Sequence, residues 1–373
     1  MPPYEIASHP QESHVNISLE TLNTADTHVD PGRVSIPVID LSADRGDVIA
    51  QIREAGDRFG AFQAVGHGIA PEQIADFEAR INRIMTLPRE QKVDLASPSG
   101  HPYRGWRQWP DDFGRLELER YMIARFDDVD EARAAGVSEE HLSIYEHVNV
   151  WPTDDPELRT VARLYRAELR ALTERILGLF TQALGVPEER LKWDGPDATA
   201  ITINNYPTWT WEDTEEDDDE VKLLLLEHAD SNVVTLLMQQ GQYEGLQTQH
   251  DDGTWRNVPV IPGAFVVLFG GSLARLVNDR WVTGRHRVIA GGTNIRRSTA
   301  VFYTPNLGAI LAPIPELVGD EGTLHEPAPA SAYSETFVED YLRVFGRPDQ
   351  REAWRTRTRF VAEVRENPVP VPL

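Results

Sequence analysis

From Ala198 onward the hydrophobic period of the chain changes to two, and turn residues become frequent. Alternating apolar and polar side chains suit strands with one buried face, and Gly and Pro cut the pattern into short runs. The segments 199–205, 221–227, 233–238, 245–249, 264–268, 285–290 and 298–303 each read as a strand. Pro262-Gly263 introduces one of them, and an Asp251-Asp252-Gly253 turn closes another. So many short strands in about a hundred residues predict a sandwich or jelly roll.

The first half of the chain reads differently. Residues 1–33 are polar and turn-rich and form an arm. A strand is expected over 34–41, with Pro37 arguing for a sheet edge. Helices are expected over 48–59 and from Pro71 to about Met85, with a strand at 62–65 between them. Ile74, Phe77, Ile81 and Met85 recur at helical spacing and are packing residues. The stretch 97–121 is rich in Trp, Tyr, Pro and Gly and reads as irregular structure with short strands. The clearest helix spans 155–185, where a broad apolar stripe ends at Gly185. Two more helices are expected at 334–345 and 349–366. This gives a single catalytic domain over 34–306. Supporting helices and strands reach to about 197, the jelly-roll core occupies 198–306, and 307–373 is a helical extension.

Composition narrows the chemistry. The chain has no cysteine, so thiolate metal sites, iron–sulfur clusters, disulfides and Cys nucleophiles are excluded together. A transition metal must then be held by imidazole and carboxylate, which suits Fe(II), Mn(II), Co(II) or Zn(II) better than Cu(I). The net charge of -24 disfavours nucleic acid as a partner. Eight acidic residues fall within 212–220, either as a solvated loop or as an acidic lid beside the site. The opening residues lack a signal-peptide pattern, and no apolar run reaches membrane-spanning length. A soluble cytoplasmic enzyme is the expectation.

The motif with the most chemistry is Glu227-His228-Ala229-Asp230. On an extended strand, residues i and i+2 share a face, so His228 and Asp230 can offer a nitrogen and an oxygen to one point. His286, on a separate strand, is the best second imidazole. Two His and one carboxylate on one face of an octahedron leave positions open for oxygen chemistry. His-x-Asp alone is weak evidence, and the competing cluster His250-Asp251-Asp252 reads as a turn whose acids cap their own backbone. Ten positions after His286, Arg296 and Ser298 share a strand face, where a guanidinium fork and a hydroxyl can clamp a carboxylate. Arg285, Arg287 and Arg297 point elsewhere in this reading.

Together these residues resemble the isopenicillin N synthase-like branch of the Fe(II)/2-oxoglutarate-dependent dioxygenases. The resemblance runs from Ile36-Pro37-Val38 to about Asn306. It includes Phe59-Gly60-Ala61-Phe62, Gly66-His67-Gly68, Leu87-Pro88-Arg89-Glu90, Asn204-Asn205-Tyr206-Pro207 and His228-Ala229-Asp230. It continues through Gly245-Leu246-Gln247, Asp252-Gly253-Thr254-Trp255, Pro262-Gly263, His286-Arg287-Val288 and Arg296-Arg297-Ser298. The resemblance implies a mainly β fold with flanking helices, a double-stranded β-helix. It implies Fe(II) on His228, Asp230 and His286, and 2-oxoglutarate on Arg296 and Ser298, with Tyr206 beside it. O2 and 2-oxoglutarate would be consumed, succinate and CO2 released, and a small molecule hydroxylated, desaturated or cyclised. A natural-product or amino-acid intermediate is the substrate class the family's breadth suggests.

The chain departs from the family at Leu268-Phe269-Gly270-Gly271, where Asn-Ile-Gly-Asp is frequent, and at Arg285. Pocket candidates are Trp106, Trp109, Tyr121, Trp209 and Trp211, with Arg104, Arg107 and Arg125 for an acidic substrate. Two alternatives stand beside the main reading. One is an isopenicillin N synthase-like or ascorbate-using Fe(II) oxidase that does not consume 2-oxoglutarate; the other is a non-catalytic jelly-roll binding protein. The sequence does not determine the oligomeric state.

Overall fold

The computed structural model describes residues 36–98, 104–110, 117–206, 223–241, 245–289, 296–320 and 322–332. The arm over 1–33, the acidic run 212–220, Trp209, Trp211 and the helices expected after 333 lie outside the described residues.

Two sheets of unequal size form the β portion. The strands of the larger are β1 (Val38–Asp40), β2 (Ala61–Val65), β3 (Gly105–Pro110), β4 (Glu117–Ile123), β5 (Ala200–Tyr206), β7 (Val234–Gln240), β10 (Phe265–Phe269) and β12 (Arg296–Tyr303). Their order across the sheet is β1-β2-β10-β7-β12-β5-β4-β3. The smaller sheet is built from β6 (Leu223–His228), β8 (Leu246–Gln249), β9 (Trp255–Asn257) and β11 (His286–Ile289), in the order β6-β11-β8-β9. β1 is an edge strand, as Pro37 just before it requires. The region 97–121 is more regular than expected. It contributes the antiparallel pair β3–β4, and β4 continues the large sheet onto β5. Charged residues on both faces, with Glu119 and Arg120 consecutive and both half-buried, hid this pairing from a period-two reading.

Helices cover one face of the large sheet. These are α1 (Arg45–Arg58), capped by the Asp44 carboxylate on the Gly46 and Asp47 amides, and α2 (Pro71–Thr86), with proline in its first turn. After the single-turn α3 (Arg89–Lys92) and the short α4 (Val129–Ala134), the long α5 (Leu158–Leu184) ends at Gly185. Gly185 takes φ 72°, a conformation that glycine adopts without strain.

Strand alternation divides the core into two layers. Ile201, Ile203, Val301, Tyr121 and Trp106 face the helices, packing with Phe77, Tyr165 and Phe180. Leu118, Tyr206, Leu237, Val266 and Ala300 face the small sheet, where Leu246 and Val288 meet them. That parity decides which polar side chains reach the space between the sheets.

One polar cluster sits on the helix side, behind the strand that carries Arg296. Thr299 donates to Glu78 of α2 at 2.9 Å, and Arg297 donates to Asn205 at 3.0 and 3.1 Å and to Asn82. Burial pushes the Glu78 carboxyl up to about 7, against the lowering effect of Thr299 and Arg297. In the unfolded chain its value is 4.5, so the native state holds the extra proton between these values. Stability from this group is therefore lost as pH rises from about 4.5 to 7. The shift corresponds to a cost on the order of 3 kcal/mol above pH 7. Glu78→Gln is expected to be more stable than the wild type at pH 8 by up to that amount and nearly equal at pH 4.5, read from urea unfolding at both values.

Candidate metal and co-substrate site

Three side chains from the small sheet and the loop that follows β6 meet between the sheets. His286 opens β11 and pairs directly with His228, the last residue of β6. The register then shifts, so that Val288 pairs with Leu225. This irregularity lets Leu225 and His228, three positions apart, both serve the inner face, as bulges do beside sites. The two imidazole rings lie with centroids 4.2 Å apart.

Asp230 does not lie on the strand, contrary to the expectation of a continuous i, i+2 face. β6 ends at His228, and the loop places the carboxylate. The Thr235 hydroxyl donates to Asp230 Oδ2 at 2.5 Å, and the Gly271 amide donates to the Asp230 carbonyl at 2.7 Å. The loop is seated against Gly270, where any Cβ would lie 1.8 Å from the Asn232 carbonyl oxygen. This gives Gly270 a physical reason: the backbone approaches too closely there for a side chain. Thr235 and this glycine contact carry no signal in the local sequence, because their partners are set by loop geometry.

With Oδ2 engaged, Asp230 Oδ1 faces the His228 and His286 Nε2 atoms at 3.6 and 4.0 Å. These three donors all lie within 4.8 Å of one another, the one such group among the described residues. The His286 Nδ1–H donates to the Gly284 carbonyl at 2.9 Å, which leaves the Nε2 lone pair toward the cluster. Burial, with the His228 ring beside it, pushes His286 down to about 4, so the ring is neutral at pH 7. Burial would raise Asp230, but the His286 and His228 imidazoles and the Thr235 hydroxyl outweigh it and hold the carboxyl at about 2. A charged carboxylate and a neutral imidazole are the states that metal binding needs.

Across the inter-sheet space, Arg296 and Ser298 occupy the inner face of β12. Arg296 is only 2% exposed, and none of its three side-chain nitrogens has a hydrogen-bond partner among the described residues. Ser298 is fully buried, and its hydroxyl is likewise unpartnered. Tyr206, opposite Arg296 on β5, lays its ring 4.5 Å from the guanidinium carbon. An isolated buried guanidinium is costly unless an anion completes it. The donor set therefore fits a carboxylate at this end and a divalent ion at the other, the two ends of a 2-oxo dicarboxylate chelate.

Comparison with known proteins agrees with this geometry. Residues 36–154 match the N-terminal region of a non-haem dioxygenase in morphine synthesis, and 198–305 match the 2OG-Fe(II) oxygenase superfamily. Jasmonate-induced oxygenase 2 of Arabidopsis thaliana is 30% identical, over 81% of this chain and 77% of its own length. This chain belongs to the 2OG-Fe(II) oxygenase superfamily. It is a non-heme Fe(II), 2-oxoglutarate-dependent dioxygenase. The 2'-deoxymugineic-acid 2'-dioxygenase of Hordeum vulgare is a further relative, 28% identical over 90% of this chain and 92% of its own. Among solved structures, the dioxygenase for auxin oxidation in rice superposes with a TM-score of 0.62. It is 21% identical, covering 82% of this chain and 96% of the other. That likeness supports the jelly-roll fold.

Strand parity sorts the pocket candidates of this chain. Trp106 and Tyr121 face the helices, and the Tyr121 hydroxyl donates to the Val150 carbonyl, so neither reaches the inter-sheet space. Arg104 is buried and donates to the Ile144 and His147 carbonyls. Arg125 pairs with Asp197 at 3.4 Å and lies over the Phe126 ring, in a separate small core. Trp109 pairs with Leu118, and its side chain lies outside the described residues. Arg107 is different: it pairs with Arg120, whose neighbours Leu118 and Asn204 face inward. Sequence reasoning missed Arg120, because its face depends on registry with β5. No helix among the described residues is long and apolar enough to cross a membrane.

Proposed function

We propose that His228 Nε2, Asp230 Oδ1 and His286 Nε2 hold the iron, and that Arg296 and Ser298 bind the distal carboxylate of 2-oxoglutarate. The bound iron and co-substrate supply the oxidising chemistry that hydroxylates or desaturates a small molecule. The chain's own residues orient the reactants. Thr235 and the Gly270-Gly271 contact aim the Asp230 carboxylate, Gly284 fixes the His286 tautomer, and the inter-sheet apolar residues keep water from the buried clamp. The observation that carries this reading is the fully buried, unpartnered Arg296 guanidinium beside an unpartnered Ser298 hydroxyl. O2- and Fe(II)-dependent conversion of 2-oxoglutarate to succinate tests it. An oxidase that spares 2-oxoglutarate would consume O2 without succinate, and a binding protein would do neither.

The same inner face supports a substrate with an anionic group. Arg107 and Arg120 are cross-strand partners on β3–β4, which puts two cationic side chains on one face, and such a pair attracts an anionic group. The Arg120 Nε donates to Asn204 Oδ1 at 2.8 Å, and Asn204 is the cross-strand neighbour of Ser298. The cationic row thus runs from the clamp toward the sheet edge. In a screen of small carboxylic acids and their methyl esters, acids are expected to stimulate succinate formation and esters not. Arg120→Gln is expected to raise KM for an active acid about tenfold or more, with little change in KM for 2-oxoglutarate. Equal stimulation by esters would dismiss the anionic class.

A further inference from the structure

Strand β8 carries a buried polar group that neither the triad nor the clamp uses. Thr248 is 1% exposed, and its hydroxyl has no hydrogen-bond partner among the described residues. Its cross-strand partner on β11 is His286, and on the other side it pairs with Arg256, which donates to Asp252 and Thr254. Cβ atoms of such partners lie about 4.5–5.5 Å apart and on one face. Thr248 therefore faces inward beside the imidazole, two residues after the inward-facing Leu246. A valine would fill the same β-branched volume without burying a hydroxyl that lacks a partner.

The position of this hydroxyl gives it a use. The unpartnered buried polar atoms of the inner face include Arg296 and Ser298 on β12, Gln239 Oε1 opposite Ser298 on β7, and Thr248 Oγ1 beside His286. The Gln239 amide nitrogen is directed at the Val258 and Pro259 carbonyls. The β12 groups account for one end of a dicarboxylate. The other end carries a carboxylate and a keto oxygen, all acceptors, and must lie at the triad on the small sheet. Among these unpartnered atoms, Thr248 Oγ1 is the hydroxyl donor adjoining a triad residue. We propose that Thr248 is a co-substrate-binding residue, its hydroxyl donating to an oxygen at the metal-side end of 2-oxoglutarate. This rests on the site assignment under Proposed function.

The test is an anaerobic titration of 2-oxoglutarate into the Fe(II)-loaded full chain, following the visible charge-transfer band, for wild type, Thr248→Val and Thr248→Ser. Thr248→Val is expected to raise the Kd for 2-oxoglutarate about tenfold and to leave Fe(II) affinity unchanged. The Tm of the metal-free, ligand-free protein should stay equal or rise, since an unpartnered hydroxyl is removed. Thr248→Ser should bind within about threefold of wild type. If Thr248→Val does not fold, Thr248→Ala read in the same way replaces it. Wild-type affinity in the valine variant, or a fall in Fe(II) affinity that accounts for the weaker band, would overturn the role of Thr248 alone. Failure of the wild type to bind 2-oxoglutarate would overturn the site assignment and this role together.

Discussion

Arg296→Ala is expected to weaken 2-oxoglutarate binding by two to three orders of magnitude while Fe(II) still binds. The guanidinium is buried and has no hydrogen-bond partner among the described residues, so under the proposed assignment the ligand carboxylate would be its counter-charge. Removing one member of a buried, hydrogen-bonded ion pair costs about 3–5 kcal/mol, because the other is left desolvated and unpaired. The ligand-free variant should be as stable as wild type or more so, since an uncompensated buried charge has gone. Arg296→Lys should recover part of the affinity, because a point charge cannot reproduce a two-pronged fork. Anaerobic titration and thermal unfolding without ligand check both signs. Unchanged affinity in Arg296→Ala would reject the clamp.

The second large effect concerns the metal. Asp230→Ala is expected to lower Fe(II) affinity by three orders of magnitude or more, about 4 kcal/mol. It deletes the only anionic member of the triad and leaves the two imidazoles of His228 and His286 beside the Thr235 hydroxyl. Because Asp230 is held at about 2 and His286 at about 4, neither needs to change protonation near neutral pH for the metal to bind. Calorimetric titration with Fe(II) or Mn(II) under argon measures the loss, with circular dichroism to confirm retained folding. Metal affinity within tenfold of wild type would place the ion elsewhere.

Much of this site was legible in the sequence, for reasons specific to its residues. His228, Asp230, His286, Arg296 and Ser298 lie in short motifs whose order and spacing resemble a known family, and the structure brings all five to the inter-sheet space. The apolar stripe of α5 and the short strands β5, β7 and β12 were equally readable, because helical spacing and short apolar runs between turns are local properties. These strands are buried on both faces rather than alternating. The pocket candidates fared differently. Trp106 and Arg107 are adjacent, and nothing local says which faces the helices. The pairing of Trp106 with Tyr121 and of Arg107 with Arg120 decides it, and a shift of one residue would exchange them.

The sequence by itself determined the chemistry available: a chain without cysteine, with imidazoles and a carboxylate in a strand-and-turn context and an Arg-x-Ser pair ten residues beyond. Residue type and spacing travel with the chain, so these could be read before folding. Tertiary structure decided how that chemistry is aimed. Thr235 orients Asp230, Gly270 admits the loop, Thr248 stands beside His286, and Arg120 turns inward. Each of these depends on cross-strand register or close backbone approach between segments far apart in the chain, which only the packed fold defines.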